Sequence, residues 1–305
     1  MSEVIKSLLN LDDAGAGLVS AKLTAVYEGL LQSLAVMPSA TKLFPVLGSG
    51  QLGHVAVESG EYEQIGKAKI VNNNATDIPA ADIGKINRTA PLAQIANYFR
   101  FSTMELETAA RTGAPLDQGK QYAALLAQAA EIDRIFFQGD AQYGITGLTG
   151  FNFANVALKN DGTGNSTQWE AKGAAEIARD MRAVARAIAL RTNGTRSANT
   201  LVLSGDAHEI AATKNINGKT ALAIFAETMP GVSVIESVAL KTLGGKDILA
   251  MDKSPATAGI WLPMFGHLHP EQRDGLALKT IVESRTAGLI VVDSRAIVSA
   301  TGLVA

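Results

Sequence analysis

A chain of 305 residues that is 47% hydrophobic can bury a substantial core, as one large domain or two. It has no cysteine, which excludes disulfides, thiolate metal sites and cysteine nucleophiles together, and a formal charge of −2 argues against wrapping nucleic acid in Lys and Arg. No apolar run reaches the ~18 residues needed to span a bilayer, and Met1-Ser2-Glu3-Val4-Ile5-Lys6 lacks the basic region and hydrophobic block of a secretory signal, so a soluble chain in a reducing compartment is expected unless it assembles.

Residues 1–18 read as extended and Gly/Asp-rich, and Val19, Leu23, Val26, Leu30 and Leu34 then follow helical spacing up to Pro38. Gly48-Ser49-Gly50-Gln51-Leu52-Gly53 matches the dinucleotide-binding pattern G-x-G-x-x-G. That motif works only when it opens a helix, whereas His54 to Ser59 alternates like a strand and Ser59-Gly60 would break a helix early. A hinge is the expectation.

The stretch from His54 to Pro91 has no helical periodicity. Tyr62, Gln64, Gly66, Ala68 and Ile70 fall on one side of a period-two pattern, and Glu61, Glu63, Ile65, Lys67 and Lys69 on the other. Asn72-Asn73-Asn74 supplies a turn, and Thr76 to Ile83 is expected to return as the second limb. Such a two-stranded arm has few large apolar residues, and an isolated hairpin is marginal in water. The arm is therefore expected to be stabilised by a neighbouring molecule, with Tyr62, Gln64, Lys67, Lys69, Ile70, Asn73 and Ile78 as candidate assembly-interface residues.

Ser102 and Glu105 form an S-x-x-E capping box, which predicts a helix from Thr103 to about Arg111. Thr112-Gly113-Ala114-Pro115 ends it, and Asp117 caps a second helix running to about Gln138. Tyr122, Leu125, Leu126, Ala129, Ile132 and Phe136 mark its apolar stripe. The chain leaves through Gly139-Asp140 and Gly144-Ile145-Thr146-Gly147-Leu148, and the long helix reads as scaffold. After the polar loop Asn160–Ser166, Thr167 and Glu170 suggest a second capping box for a helix burying Ile177, Met181, Val184 and Ile188 and ending at Asn193-Gly194. Strands are expected at Thr200–Ser204, Val232–Ile235, Lys246–Met251 and Gly259–Leu262, with short helices from Asp206 and from Lys219 to Thr228. This makes 151–262 an α/β unit, and strands return over Leu276–Val282 and Leu289–Val298.

Candidate chemistry is thin. Asn217-Gly218-Lys219-Thr220 lacks the earlier glycine of a phosphate loop and reads as a solvated helix start. His267-Leu268-His269 with Glu271 could offer metal ligands from a strand face, but a closed site needs another ligand from elsewhere. Arg179, Arg182 and Arg186 line one side of a helix, where a solvated or salt-bridged face is the commoner explanation than phosphate binding. No catalytic, metal or cofactor residue is assigned. An oligomeric α/β enzyme using the Gly48 segment remains a competing expectation.

The order of parts resembles the major capsid proteins of tailed bacteriophages, in the branch with the encapsulin-like shell fold. The likeness lies in Glu105-Leu106, Gly113-Ala114-Pro115-Leu116-Asp117, the long helix and its glycine exit, then Asn199–Ser204, Pro230–Ile235, Arg285–Val292 and Ala296-Ile297. The resemblance implies an α+β fold with an N-terminal arm (1–53), an extended loop (54–95), a peripheral domain with the spine helix (96–150 and 263–305) and an axial domain (151–262). It further implies self-assembly into hexamers and pentamers as an icosahedral shell around double-stranded DNA, held without sequence-specific binding. Scaffolding, portal and decoration proteins would be partners, no membrane would be involved, and the virion would be assembled in the bacterial host cytoplasm. An encapsulin-type nanocompartment holding protein cargo is the alternative. The start at Met1 shows no long charged helical prefix, so a removable scaffolding segment is not expected. Lys67 and Lys69 match by location alone the lysines that some relatives cross-link to asparagine.

Overall fold

A computed structural model of the chain describes residues 37–50, 53, 55–65, 69–70, 80, 82–112 and 118–304; the expected helix Val19–Leu34, the turn at Asn72–Asn74 and the Gly113–Asp117 break lie outside them. In chain order a short helix α1 (Ala40–Leu43) leads to β1 (Val46–Leu47), the pair β2 (Ala56–Ile65) and β3 (Asp82–Pro91), and β4 (Ala93–Ser102). Helices α2 (Thr103–Thr112) and α3 (Gln118–Gln138) follow, then β5 (Gly139–Asp140), β6 (Ile145–Thr146) and β7 (Ala154–Asn155). The middle of the chain holds α4 (Ala174–Arg191), β8 (Thr200–Leu203), α5 (Gly205–Thr213), β9 (Asn215–Ile216), β10 (Lys219–Thr220), α6 (Ala221–Thr228), β11 (Ser233–Glu236), α7 (Val238–Thr242) and β12 (Ile248–Met251). The last strands are β13 (Ala258–Trp261), β14 (Met264–Leu268), β15 (Gln272–Asp274), β16 (Ala277–Thr286), β17 (Gly288–Val291) and β18 (Ile297–Ala300). The arrangement is α+β, as the sequence suggests.

A five-stranded sheet runs in the order β11-β8-β12-β18-β7. Alternation sends Leu201 and Leu203 into one core with Ile177, Met181, Val184 and Ile188 of α4, while Val202 enters a second core with Phe136 and Phe137 of α3. A sheet covered on both faces needs uninterrupted apolar strands, which is why Thr200–Leu203 and Ile248–Met251 are buried throughout. The C-terminal strand β18 pairs with β12. Residues 297–300 thus belong to the sheet of the 151–262 segment, although the expected division groups them with 96–150.

Helix α3, 21 residues and about 31 Å long, spans two cores. Ala124, Leu125 and Ala129 pack on Phe99, Phe101 and Val282 of the β4–β16 sheet, while Ile132, Phe136 and Phe137 enter the second core. Leu126, expected in the stripe, is instead 49% exposed, beyond the edge of the buried arc set by Leu125, Ala129 and Ile132. Buried Gln128 fixes the helix rotation. Its amide donates to Asn97 Oδ1 (3.0 Å) and to the Val282 carbonyl (2.6 Å), and its carbonyl accepts from Ser284 Oγ (2.5 Å).

The N-terminal segment is knitted into this body. The Asp133 carboxylate of α3 accepts from the Ser39 and Ala40 N–H groups, both at 2.9 Å, satisfying donors at the start of α1. Phe44 packs on Phe136, and β1 pairs in parallel with β13.

The box at Ser102 forms as expected: Glu105 Oε2 accepts from Ser102 N–H (2.9 Å) and Ser102 Oγ from Glu105 N–H (3.2 Å). The Thr167–Glu170 box does not start a helix. Fully buried Trp169 takes up a short 3₁₀ turn, and α4 begins at Ala174, where the Glu176 carboxylate accepts from the Gly173 N–H at 2.8 Å. Its end is as expected, with Asn193 and Gly194 at positive φ and the Gly194 N–H returning to the Ala189 carbonyl (2.8 Å).

At the exit of α3 the backbone crosses itself. A Cβ on Gly147 would stand 2.2 Å from Gly139 N and 2.5 Å from the Gln138 carbonyl carbon, and one on Gly139 would stand 2.5 Å from Gly147 N. Just before α4, the fully buried Lys172 ammonium lies 2.6 Å from Asp180 Oδ2 of the helix and donates to the Lys159 carbonyl (2.7 Å), tying the preceding loop to α4. Arg179 bridges to Asp161 beside it. Burial alone would raise the Asp161 carboxyl, but Arg179 and Lys172 hold it below its ordinary range.

Gly147→Ala must push backbone aside, so a loss of roughly 3 kcal/mol or more is expected in urea unfolding. Gly231→Ala, with open space around it, should stay within about 0.5 kcal/mol of the parent. Lys172→Met leaves the buried Asp180 carboxylate with Arg179 alone, at 3.3 Å, and should cost about 3 kcal/mol. Adding Asp180→Leu should recover most of that loss in the same measurement.

Candidate assembly surface

β2 and β3 form a two-stranded ribbon of ten cross-strand pairs, from Ala56↔Pro91 at the root to Ile65↔Asp82. At about 3.3 Å per residue the paired part is roughly 33 Å long. The described return limb is 82–91; the expected Thr76–Ile83 meets it at Asp82 and Ile83, opposite Ile65 and Gln64, and its residues 76–79 and 81 lie outside the described residues. Asn72–Asn74 lies midway in sequence between the limbs, outside the described residues.

The ribbon is rooted in a small cluster. Val57 packs with buried Ala287 and Ile290, flanked by Ala90, Leu92 and Trp261. The Leu92 N–H donates to the Val55 carbonyl at 2.9 Å and turns the chain from β3 into β4. Gly48 lies against the Trp261 ring, where a Cβ would come within 2.4 Å of the indole, and its φ of +69° suits glycine. Gly48 thus lets the backbone pass a tryptophan, while Gly50, at φ +79°, donates its N–H to the Pro263 carbonyl at 2.9 Å.

Of the candidate interface residues, Tyr62 and Gln64 lie on β2, opposite Lys85 and Ile83. Lys69 and Ile70 are exposed, Ile70 completely. Lys67, Asn73 and Ile78 lie outside the described residues.

β4 continues directly from the ribbon and pairs with β16 over ten residues. The sequence reading missed this strand, though Ile95, Asn97, Phe99 and Phe101 alternate with Gln94, Ala96, Tyr98 and Arg100. The first set faces α3. The second shares the opposite face with Lys279, Ile281, Glu283 and Arg285, in the register Arg100↔Lys279, Tyr98↔Ile281, Ala96↔Glu283 and Gln94↔Arg285. Glu283 is 2% exposed, with His269 Nε2 at 2.5 Å and Arg285 Nε at 2.6 Å. Burial opposes its ionisation, yet Arg285 and His269 keep its carboxyl below the ordinary range.

The other motif candidates resolve into local structure. Asn217 and Gly218 take positive φ in the β9–β10 turn, Lys219 pairs with Glu227 (2.6 Å), and Thr220 Oγ1 caps α6 at the Ala223 N–H. This is the solvated helix start expected there. His267 and His269 meet edge to face at 5.2 Å, but His269 is committed to Glu283. Glu271 has no hydrogen-bond partner among the described residues, and burial raises its carboxyl. No group of three or more metal-ligating side chains converges among the described residues. Arg179 is engaged by Asp161 and Asp180, and Arg182 donates to the Ala178 carbonyl at 3.3 Å. No described helix is long and apolar enough to cross a membrane.

Residues 66–303 match the family model described as "Major capsid protein". None of the curated proteins matches the chain. Among solved structures, the capsid of the Myoviridae phage XM1 is similar with a TM-score of 0.68 at 16% identity, over 87% of this chain and 92% of that one. A virus-like particle from Pyrococcus furiosus gives 0.58 at 12% identity, over 92% and 97% of the two chains. The capsid of an empty GTA particle gives 0.58 at 13%, over 88% and 90%. At these identities the likeness is one of fold. With the family model spanning most of its length, this chain belongs to the major capsid protein family, the structural subunits of phage-type shells.

Proposed function

We propose that the chain assembles into hexamers and pentamers that close as the icosahedral head shell of a tailed phage, enclosing its double-stranded DNA. The observation that carries this reading is the ribbon of β2 and β3, whose packing on its own subunit, among the described side chains, lies at its root around Val57, Ala287 and Ile290, with Arg88 over the Phe151 ring. A hairpin that long is marginal alone. Laid across the next copy it gains a second surface, and closed symmetry multiplies many modest contacts of that kind. Tyr62, Gln64, Lys67, Lys69, Ile70, Asn73 and Ile78 would serve this contact.

In this reading the ribbon is the extended loop. The β4–β16 sheet with α3 forms the peripheral domain, and the five-stranded sheet with α4–α6, joined by β18, forms the axial domain that meets its copies around the symmetry axes. A net charge of −2 suits a wall filled from within without sequence-specific attraction to DNA. Scaffolding, portal and decoration proteins would complete the particle, assembled in the bacterial host cytoplasm. The fold likeness to the Pyrococcus furiosus virus-like particle supports one alternative, a nanocompartment around protein cargo. Purified shells containing DNA support the phage reading, and shells containing an enzyme support the alternative.

Removing residues 61–86 and joining Gly60 to Asn87, which are cross-strand partners, through an Asn-Gly turn should leave a folded subunit. Its Tm is expected within about 3 °C of the intact unassembled chain, with closed particles lost in electron microscopy. An unfolded product, or normal shells, would refute this account of the ribbon.

A further inference from the structure

The chain contains two Asn-Gly sequences, Asn193-Gly194 and Asn217-Gly218, and both asparagines are exposed at positive φ, 50° and 51°. In such a pair the glycine nitrogen can attack the asparagine side-chain amide, because a residue without a Cβ leaves the approach open. Two features of a folded chain oppose the attack. The glycine N–H can be committed to another acceptor, and the asparagine must swing out of its left-handed turn to bring Cγ to that nitrogen.

The fold treats the two sites differently. The Gly194 N–H donates to the Ala189 carbonyl (2.8 Å) and closes α4. Thr192 beside it is buried, its hydroxyl donating to the Ile188 carbonyl (2.8 Å) and accepting from the Arg196 N–H (3.1 Å). Releasing the Gly194 nitrogen therefore means unravelling the end of a packed helix. Asn217 and Gly218 instead form the two-residue turn of the β9–β10 hairpin, which has two cross-strand pairs. Neither the Gly218 N–H nor the Asn217 side chain has a hydrogen-bond partner among the described residues. A Cβ at Gly218 would meet nothing within 4 Å, and every residue from Asn215 to Lys219 is exposed. Opening a hairpin this short and this wet is a local event of low cost.

We propose that Asn217 is a site of spontaneous covalent modification, at which the chain itself supplies the nucleophile and water is the co-reactant. The Gly218 nitrogen bonds to Asn217 Cγ and the Cγ–Nδ2 bond breaks. The side-chain nitrogen leaves as ammonia, taking the Gly218 amide proton, and a five-membered succinimide remains. Water then opens the ring. Its addition at Cγ yields an aspartate, and its addition at the main-chain carbonyl yields an isoaspartate. Either product places a new carboxylate two residues from Lys219, whose ammonium lies 2.6 Å from Glu227. The isoaspartate also lengthens the backbone by one carbon, which the two-residue turn does not accommodate. Copies of the chain therefore carry in this turn a chemical record of their age.

Peptide mass mapping of the full chain, aged in mildly alkaline buffer, tests this. Asn217 should convert at least about fivefold faster than Asn193, the ratio expected when one site must first give up a hydrogen bond. In guanidinium, where both sequences lose their structure, the two rates should converge. Asn217→Gly keeps the positive φ of the turn and should remove most of the acidic form that accumulates on isoelectric focusing. An Asn217 that stays intact, or an Asn193 that converts as fast in the folded chain, overturns the proposal. So does a difference that survives in guanidinium, which would assign it to neighbouring sequence, or an undiminished acidic form in the Asn217→Gly chain.

Discussion

Gln128 cannot turn away from the β4–β16 sheet without leaving the Val282 carbonyl, the Asn97 amide oxygen and the Ser284 hydroxyl short of a partner. Each such loss costs about 1–3 kcal/mol in a buried setting. Apolar packing alone would tolerate small rotations of a helix on a sheet; this network does not. Because α3 continues from that point into the core of Phe136, Phe137, Leu249 and Met251, its rotation also fixes how the five-stranded sheet stands relative to β4. The ribbon grows out of β4 through Leu92, so its root inherits the same definition. A subunit built to tile a closed surface needs that inheritance, since an angular error at the root is magnified along an arm roughly 33 Å long.

The subunit divides its stabilising interactions unevenly. The five-stranded sheet is buried on both faces, and the loop before α4 is tied down by an ion pair shielded from water. Among its described side chains, the ribbon is held to the body around Val57 and by Arg88 over the Phe151 ring. Elements with few apolar contacts sit at the low end of local stability, where parts that adjust to a partner are drawn from.

What could be read from the sequence was local. The Ser102–Glu105 box works within one turn, so the start of α2 was legible. The Gly139–Gly147 exit was visible as a cluster of glycines, although the reason for it, a backbone crossing, needs coordinates. The Thr167–Glu170 signal misled because it was local too, while burial of Trp169 and the Gly173–Glu176 cap decide where α4 begins. Pairing was the unreadable part. The return limb, the docking of β18 on β12, the cap that Asp133 provides to α1 and the meeting of Arg100 with Lys279 all join residues far apart in the chain. The family resemblance gave the family and the α+β fold where no single pairing could be derived.

The chain has two tryptophans, and they occupy different places: Trp169 is sealed in the core beneath α4, and Trp261 lies at the root of the ribbon beside Gly48. In a Trp169→Phe background the remaining indole becomes a private fluorescent reporter of the arm's anchorage. Its emission colour and quenching by iodide would follow any loosening there, separately from unfolding of the rest. The complementary Trp261→Phe chain reads the five-stranded core in the same way, so one cuvette experiment can time the movement of the arm against the melting of the body.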